Sequence, residues 1–178
     1  MYKAVIFDRD GTLNHTAPKE QGGYALSPED IILMPTVAES MQRLAERGIH
    51  RLVYTQQKCV GKGLLTEEGL DAVNGQLNSL LPKDAQIEYF AYCPHHLPNA
   101  CECAKPKPGM ITGLLRQFKL KPEEAIAIGD TKRDKLSAEA AGVDFVYVQS
   151  DDTSKHSDYD ESDRVFKTLE EALSSLGF

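Results

Sequence analysis

Four short stretches hold side chains able to do chemistry together: Asp8-Arg9-Asp10-Gly11-Thr12, Thr55, Lys105, and Gly129-Asp130 with Asp134 one helical turn on. Carboxylates drawn onto one rim repel each other. The cluster therefore calls for a cation, and Mg²⁺, which prefers hard oxygen ligands, suits it. A lysine and a hydroxyl beside that cation favour a phosphoryl group, whose charge they would face. Taken singly, each piece has an ordinary reading: a turn for Asp-x-Asp, a helix start for Gly-Asp, a solvated surface position for Thr55 or Lys105. Their joint placement at strand ends is what argues for a site.

The four cysteines form a second constellation. Cys93, Cys101 and Cys103 fall within eleven residues, in a loop that reads Cys93-Pro94-His95-His96-Leu97-Pro98-Asn99-Ala100-Cys101-Glu102-Cys103. Three thiolates and one imidazole can close a tetrahedron around Zn²⁺. Four protein ligands leave no open position, so such a zinc would be structural. His95 is the expected fourth ligand and His96 its rival. Buried cysteines beside an unrelated surface histidine, or two disulfides, are the alternatives, and a reducing compartment disfavours the disulfides. Cys59 lies far from this loop in sequence and reads as a small neutral loop residue.

Positioning these residues requires strands that end where they begin. β-branched and aromatic runs predict strands at 3–7, 49–54, 87–92, 124–128 and 144–148, with a short one at 164–166. Amphipathic patterns predict helices between them. One runs over 37–47, capped by Thr36 and stopped by Gly48. Another is opened by Thr66 ahead of Glu67 and Glu68 and ends before Pro82. Others cover 109–119 and 132–141, and a last one carries the capping box Thr168 and Glu171. A short extended piece is expected at 31–34, and the polar stretch 149–163 reads as an exposed loop. Strands alternating with helices predict an α/β, doubly wound parallel sheet, in which ligands sit beyond the carboxyl ends of the strands.

Composition sets the outer bounds. With 27 acidic and 20 basic residues in 178, the formal charge is −7, which argues against a nucleic-acid partner. At 41% hydrophobic and 26% charged the chain has the make-up of a soluble globular protein, and its apolar runs are too short to span a membrane. The apolar start of the chain meets Asp8 too early for a secretory signal, so a cytoplasmic location is expected. The length suits one domain over 1–178, with the zinc loop at 93–103.

The motifs resemble those of phosphatases of the haloacid dehalogenase-like (HAD) superfamily. The matches are Asp8 to Thr12, Thr55 after a strand, Lys105 in Lys105-Pro106-Lys107-Pro108-Gly109, and Gly129-Asp130 with Asp134. The resemblance covers about residues 3–148 and implies a HAD-like fold and hydrolysis of a phosphomonoester of a small metabolite. It implies Asp8 as nucleophile, forming an aspartyl-phosphate, and Asp10 as general acid and then base. Asp8, Asp130 and the main-chain carbonyl of Asp10 would hold Mg²⁺, with Asp134 in support. Thr55, Lys105 and the amides near Asp10 and Gly11 would face the phosphoryl oxygens. Many members insert a cap domain between these motifs. The intervals here are too short for an independent core, which predicts an open site and no cap, an arrangement compatible with the monomer expected.

The Cys-x-His…Cys-x-Cys loop ahead of Lys105-Pro106 narrows the resemblance to a capless bacterial branch acting on heptose bisphosphate and on histidinol phosphate. It implies removal of the 7-phosphate of D-glycero-D-manno-heptose 1,7-bisphosphate, a lipopolysaccharide precursor, with histidinol phosphate as the alternative substrate. Two departures stand out. Where heptose phosphatases usually read Thr-Asn-Gln-Ser-Gly-x-x-Arg-Gly, this chain has Thr55-Gln56-Gln57-Lys58-Cys59-Val60-Gly61-Lys62-Gly63. Where they place arginine before the motif lysine, it has Ala104. An arginine fork is not replaced geometrically by lysine. Gln56, Lys58, Lys62 and Lys107 are the candidate substrate contacts, with the 15–26 loop at the entrance. A zinc-stabilised binding module without activity is the rival of another class, and a response-regulator receiver or a polynucleotide 3′-phosphatase fits less of the pattern.

Overall fold

The computed structural model describes residues 1–96, 101–150 and 159–178. Their six strands form one parallel sheet: β1 (Ala4–Phe7), β2 (His50–Gln56), β3 (Tyr89–Cys93), β4 (Ala125–Gly129), β5 (Asp144–Val148) and the two-residue β6 (Val165–Phe166). The order is β3-β2-β1-β4-β5-β6. From the central β1 the chain winds out through β2 and β3, then crosses back to β4 and winds the other way. That reversal leaves a crevice beyond the carboxyl ends of β1 and β4, where such sheets take their ligands.

The strands alternate between two cores. Val5, Phe7, Val53, Ile126, Ile128 and Val146 point to the face covered by α1 (Val37–Glu46), α3 (Glu67–Ser79) and α6 (Leu169–Ser175). Ala4, Ile6, Leu52, Tyr54, Ala125 and Ala127 point to the face covered by α4 (Gly109–Gln117) and α5 (Lys132–Ala140). Both faces are apolar because helices cover both, as βαβ crossovers require. In β4 the large residues lie on one side and the small ones on the other, so α4 and α5 can pack close to the sheet. Burial of side chains such as Ile6, Leu52 and Ile111 contributes about 1.5–3 kcal/mol each and holds the strand ends in place. No helix of the described residues is long and apolar enough to cross a membrane.

Local differences from the sequence expectation have local causes. β2 runs two residues further, to Gln56, because β3 keeps pairing with it as far as Gln56 opposite Cys93. β3 starts at Tyr89 and not at Ile87, because Asn78 of α3 binds both the N–H (2.8 Å) and the carbonyl (3.1 Å) of Ile87. Thr36 precedes α1 but does not cap it through its side chain: at φ 65° it is left-handed and makes no side-chain cap bond. At α6, Thr168 Oγ1 accepts from the Glu171 amide at 3.2 Å, whereas the Glu171 carboxylate reaches Lys167 N and not Thr168 N. The short helix α2 (Lys58–Gly61) and 3₁₀ turns at Lys19–Gln21, Pro28–Asp30 and Pro122–Glu124 were not expected. Each is a single turn, too short to show a periodic pattern. The expected extended piece at 31–34 is one antiparallel bridge between Leu33 and Asn14.

Candidate active site

The sheet register assembles the site. Phe7 pairs with Val53 on one side and Ile128 on the other, so Asp8, Thr55 and Asp130 emerge together at the crevice. The Asp8 amide extends the ladder by donating to Ile128 O at 2.8 Å, which fixes the carboxylate just past the strand end. Asp130 follows Gly129 and is fully buried. Thr131 caps α5 and forms a capping box with Asp134, whose Oδ2 accepts from Thr131 N (2.9 Å) and Oγ1 (2.6 Å). One ligand oxygen from each of Asp8, Asp130 and Asp134 lies within 4.8 Å of the others.

Lys105 is buried among them. Its Nζ donates to Asp8 Oδ1, makes a 2.6 Å ion pair with Asp134 Oδ1, and stands 3.7 Å over the Tyr54 ring. Both oxygens of Asp134 are therefore engaged, one by the helix cap and one by the lysine. Burial pushes Asp8 up to about 7 against the pull of Lys105, with Asp134, Asp130 and Asp10 adding to the rise. Burial acts the same way on Asp134, yet Lys105 and Thr131 outweigh it and hold that carboxyl below the usual range. Of the two carboxylates sharing the ammonium, Asp134 is the one that stays ionised. Asp8 is left poised to take a cation in place of its proton.

Asp10 is held differently. The buried Arg9 places Nη2 3.1 Å from Asp10 Oδ1 and 3.0 Å from Oδ2, while its Nη1 is anchored on Asn74 of α3 at 2.9 Å. Asn14 Nδ2 donates to Oδ1 at 3.0 Å and Gln57 Nε2 to Oδ2 at 2.8 Å. Burial raises the Asp10 carboxyl, but Arg9 and these amides outweigh it and hold it below the usual range. Gln57 Nε2 also donates to Thr55 Oγ1 at 2.8 Å, leaving the Thr55 proton free to be donated elsewhere. Cys59 Sγ, 3.6 Å from Gln57 Oε1, holds the other end of that amide.

Arg9, Asn14, Gln57 and Asn74 are site residues that the sequence reading missed. For Gln57 the signal was there: strand alternation carried two residues past Thr55 puts it on the same side. For Asn74 there was none, since it reaches Arg9 across 65 positions of sequence.

A cavity of about 160 Å³ opens on this cluster, lined by Asp8, Asp10, Thr55, Lys105, Asp130 and Asp134, by Gln56 and Arg133, and by Thr16, Gly23 and Tyr24 of the 15–26 loop. Of the candidate substrate contacts, Gln56 lines it. Lys58, Lys62 and Lys107 do not. Lys62 donates to Tyr24 Oη at 3.2 Å, and Lys107 is tied to Cys101 O (2.7 Å) and Glu102 (3.0 Å) in the cysteine loop. Lys58 opens α2 and is half-buried away from the cavity. Arg133, in the first turn of α5, was not expected there.

The cysteine loop brings its four candidate ligands together. One atom from each of Cys93, His95, Cys101 and Cys103 lies within 4.8 Å of the rest. Cys93 Sγ is 3.7 Å from Cys101 Sγ and 3.6 Å from His95 Nδ1, which is 3.2 Å from Cys103 Sγ. Zn–S and Zn–N bonds of about 2.3 and 2.0 Å give tetrahedron edges of roughly 3.5–3.8 Å, so the donor set fits zinc. His96 and Cys59 are outside the cluster. Residues 97–100 of this loop lie outside the described residues. The loop also braces the site: Gln57 N donates to Cys93 O at 2.8 Å, and Gly61 N of α2 to Pro94 O at 2.9 Å.

Residues 102–172 match the HAD-hydrolase-like family model. The chain is 28% identical over 149 residues to D-glycero-beta-D-manno-heptose-1,7-bisphosphate 7-phosphatase of Pseudomonas putida, covering 83% of each chain. It is 29% identical over 157 residues to the enzyme of the same name from Rhodopseudomonas palustris, covering 84% of each. Among solved structures it is similar to D,D-heptose 1,7-bisphosphate phosphatase of B. bronchiseptica complexed with magnesium and phosphate. That match has a TM-score of 0.87 at 25% identity and covers 98% of this chain and 97% of the other.

Proposed function

We propose that this chain, a phosphatase with the HAD-like hydrolase fold, removes the 7-phosphate of D-glycero-D-manno-heptose 1,7-bisphosphate through an aspartyl-phosphate on Asp8. The observation that carries the mechanism is the convergence of Asp8, Asp130, Lys105 and Thr55 on one cavity at the switch point of the sheet. The similarity to the two heptose bisphosphate phosphatases supports the substrate.

Asp8 Oδ attacks phosphorus as the P–O bond to the leaving alkoxide breaks, the electron pair going to that oxygen, which takes a proton from Asp10. Water then attacks the acyl phosphate, Asp10 removes its proton, and inorganic phosphate leaves with Asp8 restored. The donors around Asp10 suit the second half, where it must be a base. A dianionic ester arriving beside it raises its pKa by like-charge repulsion, which equips it for the first half. Lys105 and the Thr55 hydroxyl face the phosphoryl oxygens, and Asp134 holds the lysine. Asp8, Asp130 and the main-chain carbonyl of Asp10 are the residues to hold Mg²⁺, which when bound supplies positive charge against the phosphoryl group. Cys93, His95, Cys101 and Cys103 are the residues that would hold a structural zinc. The reading is of a cytoplasmic monomer of one domain with a small metabolite as its partner.

The test compares kcat/KM for the heptose bisphosphate, histidinol phosphate and an aryl phosphate with Mg²⁺, alongside Asp8→Asn. Preference for the heptose bisphosphate by at least tenfold and abolished turnover in Asp8→Asn are expected. Preference for histidinol phosphate overturns the substrate, and full activity of Asp8→Asn overturns the mechanism.

A further inference from the structure

We infer that Arg133 and Gln56 form a clamp for a second anionic group on the substrate, a distal phosphate that is not hydrolysed. The inference rests on the phosphatase reading and adds which residues select a doubly charged substrate over a simple monoester. The cavity floor is committed: Lys105, its buried cation, is shared between Asp8 and Asp134. The position before it is no source of charge either, because Ala104 is packed in the apolar core beneath α4. Lys107 is tied to the cysteine loop, and Lys62, exposed beside Tyr24, does not line the cavity. Among the described residues that line the cavity, Arg133 is the one other cation.

Arg133 is exposed, and none of the carboxylates among the described residues pairs with it. Its Nη1 rests 3.4 Å from Gln56 Oε1, too long for a strong bond and enough to hold the guanidinium over the cavity mouth. Gln56 supplies the second observation. Its Nε2 is buried on the cavity wall and has no hydrogen-bond partner among the described residues. A buried amide N–H without an acceptor is costly, and a ligand oxygen at that position would satisfy it. A guanidinium fork and an amide donor that are neighbours and line the same cavity as the carboxylates and Lys105 match a phosphate oxyanion in both charge and donor type. The neighbouring floor takes the reacting phosphoryl group, so the wall takes the other one.

The experiment measures kcat/KM for heptose 1,7-bisphosphate and for p-nitrophenyl phosphate in the wild type, Arg133→Ala, Arg133→Lys and Gln56→Leu. Arg133→Ala is expected to lower kcat/KM for the bisphosphate about 10- to 100-fold and to move that for the aryl ester less than threefold. Arg133→Lys should fall between, and Gln56→Leu should lower the bisphosphate value about three- to tenfold. An unchanged ratio between the two substrates, or equal losses on both, overturns the clamp. Calorimetry on Asp8→Asn protein with the bisphosphate, with and without Arg133→Ala, decides the clamp even if no ester is turned over. A matching loss of affinity supports it and equal affinity overturns it, whereas absent turnover counts against the phosphatase reading alone.

Discussion

Gly11→Ala isolates the approach of the first loop to the carboxylate cluster of Asp8, Asp130 and Asp134. Gly11 has φ +92°, a conformation that costs a non-glycine residue about 1–3 kcal/mol. A Cβ there would stand 2.3 Å from Asp130 Oδ2, 2.9 Å from Asp130 Cγ and 3.1 Å from Ser150 Cβ. Asp130 is fully buried, so its carboxylate cannot swing into solvent. Either it or the loop carrying Asp10 must shift by about 1 Å, the scale at which misplaced catalytic groups lose about 100-fold in rate. We expect Gly11→Ala to lose roughly 2–4 kcal/mol of stability in urea unfolding. Phosphatase kcat/KM should fall about 100-fold, with half-saturation at higher Mg²⁺. Gly75→Ala is the matched control: it lies inside α3 with nothing within 4 Å of its added Cβ. That change should gain about 0.5–1 kcal/mol and leave activity alone. If Gly11→Ala stays within 0.5 kcal/mol and threefold in kcat/KM of the parent, the close approach of loop and carboxylate is not what the site depends on.

Two further outcomes follow from the same geometry. In the metal-free protein Asp8 titrates near 7, above its unfolded value of 3.8. Its contribution to stability is therefore full below pH 4 and is lost as pH rises through 7. A cation that needs the ionised form must displace that proton, so calorimetry should find Mg²⁺ binding about tenfold tighter at pH 8 than at pH 6, with proton release at the lower pH. Affinity independent of pH would refute the shift. The second outcome concerns zinc: metal analysis should find about one per chain, lost in Cys103→Ser. Because the loop supports Gln57 and α2 through Cys93 O and Pro94 O, that variant should also lose thermal stability and kcat. A zinc-free parent with full activity would contradict the assignment.

How much of this site was readable before folding depends on how far each contact reaches. Asp8, Asp10, Thr55, Asp130 and Asp134 were legible because each lies at a strand end or one helical turn beyond it. A doubly wound topology carries all such ends to one rim. The cluster of Cys93, His95, Cys101 and Cys103 was legible because the four share one short loop, so spacing alone brings them close. Lys58, Lys62 and Lys107 looked equivalent in sequence, since a flexible charged side chain carries no periodicity that says where it points. Only packing turned Lys62 to Tyr24 and Lys107 to the cysteine loop, and left Arg133 over the cavity.

The doubly wound parallel class of the sheet and the choice of carboxylates were therefore readable from the sequence itself, through local propensity and a chirality rule that admits few topologies. The strand order came only with the structure. The protonation of those carboxylates was not readable either. Which of Asp8 and Asp134 keeps its charge depends on a lysine 97 residues from Asp8 in the chain, on a helix cap and on the loss of water. The low-lying carboxyl of Asp10 depends on Arg9, Asn14 and Gln57 meeting around it. Desolvation and charge pairing belong to groups brought together in space, and no spacing along the chain encodes them until the sheet and its two helical layers have closed.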